Sequence, residues 1–179
     1  MGVIMNISKY TGFFHDGTVH DISHVKDKMR ISMESAELLP AWNKAKIPLS
    51  KYNRMAGYLH LEDIKSIQID EKPYTGILKK TYDSSEVYDL TILENKVILL
   101  VQWINYPPKP REETDVFTIE IEAKKIYWEN IPSLFDTSRN PHDDDRYLDK
   151  DGNPVSAAPA VYMVDKYFFA GSVGMSSNE

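Results

Sequence analysis

Residues 86–128 alternate apolar and polar side chains at period two, in runs of β-branched and aromatic residues separated by short polar turns. Only a β-strand sends successive side chains to opposite faces; a helix of about 3.6 residues per turn would scatter the same residues around its surface. Tyr88, Leu90 and Ile92 are expected to share one face ahead of a turn at Glu94-Asn95-Lys96. Val97, Leu99, Val101 and Trp103 line one face of the strand that follows. Ile98, Leu100 and Ile104 fill most of its other face, so this strand is predicted to be covered on both sides and to form the sheet centre. Phe117, Ile119, Ile121 and Ala123 alternate with Thr118, Glu120 and Glu122, which predicts a strand wet on one face. After Lys124-Lys125 a further segment, 126–128, closes the unit.

The same signature recurs upstream. Residues 18–25 and 29–35 predict a half-buried hairpin around Lys26-Asp27-Lys28, with Met29, Ile31 and Met33 on one face. Residues 38–54, interrupted by Pro40 and Pro48, leave room for a turn of helix but for no long one. Met55, Gly57, Leu59 and Leu61 alternate with Ala56, Tyr58 and His60, and Ile67 and Ile69 continue the pattern, predicting another strand pair. Strand after strand with short connections implies a mainly-β protein, an antiparallel β-sandwich or open barrel with few short helices. At 179 residues the chain has the size of one domain. It is read as a β-rich core domain over 1–134, with an acidic loop and returning C-terminal segment, 135–179, docked on the same domain.

Charge narrows the partners. The 27 acidic and 21 basic residues leave a net charge of −6, which argues against nucleic acid, because phosphate contacts need a basic face. The imbalance is local: acids and bases number 12 each up to residue 90, but 15 and 9 beyond it. A protein partner, basic in character, fits such a surface. Asp143, Asp144 and Asp145 would supply part of the field, with Arg146 and Tyr147 as anchors. No cysteine is present, so disulfides, cysteine-based zinc sites and thiol nucleophiles are excluded. The N-terminus lacks the basic and apolar regions of a signal peptide, and no apolar run approaches the roughly 20 residues of a spanning helix. A cytoplasmic chain with no membrane contact is expected.

Motifs that carry chemistry are scarce. His20 and His24 have a spacing that suits a metal on a helix, but in a strand they stand roughly 13 Å apart, so no metal is expected. Gly12 and Gly17 have the spacing of a phosphate loop without its lysine, and 149–153 fails the registration of a calcium loop. Pro107-Pro108-Lys109-Pro110-Arg111 is read as a loop between two strands. No nucleophile elbow or dinucleotide fingerprint occurs, and no cofactor is expected.

Phe13-Phe14-His15-Asp16-Gly17-Thr18-Val19, with His20-Asp21-Ile22 and the strand at 29–33, resembles the Phe-His-Asp start of several small bacterial β-rich protein families. A looser likeness runs through Trp128-Glu129-Asn130-Ile131-Pro132. Some of these families look like immunity proteins, which neutralise toxins by binding them. The resemblance implies a non-enzymatic inhibitor in which Phe14, His15, Asp16 and Gly17 form a structural turn at the start of the sheet. The expectation is therefore a non-catalytic binding protein without catalytic residues. Two alternatives stand beside it: a β-domain that binds a small sugar or lipid between aromatics, and a hydrolase using His15 or His20 with Asp16, or a pair of acidic residues.

Overall fold

The computed structural model describes residues 2–80, 84–109 and 111–136. Its strands are β1 (Val3–Met5), β2 (Thr18–Val25), β3 (Lys28–Glu34), β4 (Ala56–Ile69), β5 (Lys72–Pro73), β6 (Ser84–Ile92), β7 (Lys96–Lys109) and β8 (Arg111–Asn130), with one 3-10 turn at Thr11–Phe14. All pair antiparallel in one sheet of order β2-β3-β4-β8-β7-β6, while β1 extends β8 and β5 extends β4. The mainly-β, antiparallel fold expected from the alternation is present, and the sheet is not closed into a barrel.

The sheet curls until its two edge strands meet at one end. Gly17, just ahead of β2, forms an isolated antiparallel bridge with Val87 of β6. The buried Ser85 hydroxyl accepts from the Val19 amide at 2.8 Å and donates to the Val19 carbonyl at 2.9 Å. A side chain here takes the place of a ladder, because a continuous β2–β6 pairing would require full closure. Inside the curl lie Phe14, Ile31, Met33, Leu59, Leu61, Val87, Leu99, Ile121 and Trp128, all 1% exposed or less. Residues 38–54 lie outside any strand as turns in which Trp42 and Lys46 donate to the carbonyls three residues back, and no helical turn forms there. Asn130 secures this stretch: its amide donates to the Pro48 carbonyl at 2.8 Å while its oxygen accepts from the Trp128 indole at 3.1 Å.

Several local expectations are corrected, most by irregularities that period-two reading cannot register and one by strand order. The pair expected over 55–69 is a single strand, β4. Asp63 adopts a positive φ of 55° and the register with β8 shifts between Ile64 and Ser66, so the strand bends without ending. Lys124 and Lys125, read as a break, are two consecutive exposed residues inside β8. The buried face of β8 changes phase there, from Ala123 to Trp128. In β6 a bulge between Val87 and Asp89 separates Tyr88 from Leu90, so Ser85, Val87 and Leu90 face inward and Tyr88 does not. β7 is not the sheet centre. It lies next to the edge strand β6, its Ile98, Leu100 and Ile104 are only half-buried, and β4 and β8 occupy the middle. Finally, β7 runs through Pro107 and Pro108, where a loop was expected; the register between Asn105 and Lys109 is irregular, a setting in which proline is tolerated.

Candidate functional site

The Phe14-His15-Asp16-Gly17 segment divides between core and solvent. Phe14 is fully buried with its ring edge-on to Trp128, centroids 5.2 Å apart. Asp16 takes a positive φ of 62° and donates its amide to the Val87 carbonyl at 2.8 Å. A Cβ on Gly17 would lie 2.5 Å from the Glu34 carbonyl oxygen, so only glycine allows the chain to pass there. His15 Nδ1 and Asp16 Oδ1 are 3.0 Å apart, both side chains 64% exposed.

His20 is not partnered by Asp16. Its Nε2 lies 3.4 Å from Oε1 of the buried Glu34, which also faces Arg54 Nη1 at 3.7 Å, and Phe135 stacks on its ring at 3.8 Å. An acid buried beside a cation and an imidazole is electrostatically compensated. The neighbouring hydroxyls point elsewhere: Ser32 donates to the Asp21 carbonyl at 3.3 Å and Ser35 to the Ala36 carbonyl at 2.6 Å. Neither is poised as a nucleophile for His20. His24 is engaged on both nitrogens, Nδ1 accepting from the Leu78 amide and Nε2 donating to the Lys26 carbonyl, each at 2.9 Å. Among the described residues no three His, Asp or Glu side chains gather in a way that could hold a metal ion, and no helix is long and apolar enough to cross a membrane.

The densest arrangement of functional side chains stands on the outer face of β3, β4 and β8. Register places Arg30, His60 and Tyr127 in one row, Lys28, Glu62 and Lys125 in the next, and Ser32, Tyr58 and Glu129 in a third. The Arg30 guanidinium sits 4.4 Å above the Tyr58 ring, Tyr58 meets His60 edge to face, and His60 stacks on Tyr127 at 4.7 Å and 9°. His60 Nε2 reaches Glu129 Oε2 at 2.9 Å, and the Tyr127 hydroxyl donates to Glu62 at 3.2 Å. This last bond, with Lys28 and Lys125 nearby, holds the Glu62 carboxyl below the usual carboxylate range despite an opposing contribution from desolvation. Burial, and then Glu62, push the Tyr127 phenol up. The rings are thus held in place by contacts within the sheet itself.

Sequence reading marked no residue of this face as a site. The usable signal was the outward parity of Tyr58 and His60, since aromatics at solvent-facing strand positions have no core to fill; Tyr127 shares the odd parity of the buried Ile119, Ile121 and Ala123 and carried no such signal. The acidic cluster Asp143, Asp144 and Asp145, with Arg146 and Tyr147, lies outside the described residues, as does all of the returning segment beyond Asp136. Comparison with protein-family models, curated proteins and solved structures finds no match to this chain.

Proposed function

We propose that this chain is a non-catalytic cytoplasmic binding protein, an immunity-type inhibitor that occludes a basic protein partner through the outer face of β3, β4 and β8. The observation that carries this reading is the preorganised column Arg30–Tyr58–His60–Tyr127, held by ring contacts and flanked by paired charges. Tyr and Arg are the residues that most often anchor protein interfaces, and side chains already fixed lose little entropy on binding. The net charge of −6 steers a basic partner toward the molecule, while the aromatic column supplies the short-range contacts.

The test is calorimetric titration against the products of adjacent reading frames, with a toxicity-rescue assay in parallel. Arg30→Ala and Tyr127→Ala are each expected to weaken binding about tenfold or more and to abolish rescue. Neutralising Asp143, Asp144 and Asp145 is expected to slow association and flatten its salt dependence. Partner binding untouched by the first two variants removes the outer face from the proposal. A hydrolytic activity lost in His20→Asn would replace binding with catalysis.

A further inference from the structure

A cleft of about 230 Å³ opens between the end of β4, the middle of β7, the first half of β8 and the segment that follows β5. Its floor is apolar and aromatic: Ile69, Trp103, Phe117 and Ile119 from the sheet, with Tyr74 and Leu78 from the covering segment. That segment is tied down on both sides. The Tyr74 amide donates to the Ile67 carbonyl at 2.8 Å, the Leu78 amide to His24 Nδ1 at 2.9 Å, and Lys80 Nζ to the His20 carbonyl at 3.3 Å. The wall is therefore formed in advance, yet Ile77 on it stays 65% exposed, an apolar side chain beside an apolar cleft.

Lys79 is the single charged residue of the lining. It is exposed and, among the described residues, makes no hydrogen bond or ion pair. Some sheet lysines are committed, Lys96 to Glu120 at 3.1 Å and Lys125 to Glu62 at 3.5 Å, whereas Lys79 is left available at the rim of the cleft. An apolar, ring-lined floor with one uncommitted ammonium group beside it matches a ligand that has a compact apolar body and a single negative end.

We infer that this cleft binds a small amphipathic carboxylate, its apolar body between Trp103 and Phe117 and its carboxylate on Lys79. The volume sets the size. A dry cavity of about 150 Å³ accepts a benzene ring, so this cleft takes one ring or a medium acyl chain and excludes long-chain lipids. Neither the outer aromatic column nor a protein partner enters the argument, so this site stands or falls independently of the proposed function.

Octanoate and phenylacetate serve as probes, titrated by calorimetry and by NMR of the Ile69, Leu78 and Ile119 methyl groups, with octan-1-ol and octylamine as neutral and cationic counterparts. Saturable binding of at least one carboxylate is expected, with shifts at those methyls and with octylamine the weakest of the set. Lys79→Gln is expected to weaken the carboxylate three- to tenfold and leave octan-1-ol unchanged, as removal of one partly exposed charge requires. Ile77→Trp, at an exposed position, is expected to obstruct the cleft and weaken all probes. Tighter phenylacetate assigns an aryl body and tighter octanoate an acyl one. No saturation below about 10 mM, equal affinity for octylamine and octanoate, or indifference to Lys79→Gln would overturn the inference.

Discussion

Removing the Ser85 hydroxyl should loosen the corner where the two sheet edges meet. In wild type this one group accepts from the Val19 amide at 2.8 Å and donates to the Val19 carbonyl at 2.9 Å, and Val19 is fully buried. Ser85→Ala leaves both main-chain groups without that partner in a place water does not reach. An unsatisfied buried polar group costs about 1–3 kcal/mol, so the pair should cost about 2–6 kcal/mol. In a chain of this size each kcal/mol moves the melting temperature by about 2–4 °C, giving a fall of roughly 4–24 °C. The main-chain ties of Asp16 and Gly17 to Val87 persist, so the fold should survive. Urea unfolding followed by tryptophan fluorescence measures the loss, and hydrogen exchange should show the Val19 amide losing protection before those of β4. Thr91→Ala, which removes an exposed hydroxyl, is the control and should change stability by less than about 0.5 kcal/mol. A Ser85→Ala loss as small as the control's would refute the claim that a side chain closes the curl.

Two further outcomes follow from the same geometry. Gly17→Ala should cost about 1–3 kcal/mol by denaturant titration, because its Cβ meets the Glu34 and Phe14 carbonyl oxygens at 2.5 and 2.8 Å; Gly12→Ala, with nothing within 4 Å, should be close to neutral. The Glu62–Tyr127 bond should show itself at both ends of the pH scale. Glu62 titrates below its ordinary 4.5, so its contribution to stability is present above that pH and is lost as pH falls through the lower folded value. Tyr127 titrates above its ordinary 10.0, so its contribution is present below that pH and is lost as pH rises through the folded value. In Tyr127→Phe the late phase of the alkaline ultraviolet titration should vanish, and its acid-side stability curve should flatten; a late phase of wild-type size in the variant would contradict the assignment.

Outer-face residues illustrate how far linear reading reaches. The parity of Tyr58 and His60 is visible in the chain, but Tyr127 faces outward only through the phase change at Lys124-Lys125, and the meeting of the three depends on β4 lying beside β8, about 70 residues away in sequence. His20 carries the same lesson. A neighbouring Asp16 suggested the obvious partner, whereas the hairpin register brings Glu34 to it and the chain beyond β8 brings Phe135. The bulge at Tyr88 inserts a single residue that shifts the later side chains of β6 to the other face, while β4 keeps its parity across the register shift at Lys65, with Leu59, Leu61 and Ile67 all buried; no local propensity marks either irregularity.

Alternation of side chains alone determined that this chain is mainly β and antiparallel, and that 18–34 forms a hairpin, because period-two burial is a local property of the extended backbone. Which strands lie in the middle, where β2 and β6 meet through Ser85, and which outward rings stack were decided only by the tertiary structure. Those features arise from pairing between strands distant in sequence and from the curl of the whole sheet. Both are collective results of burying one face of every strand at once.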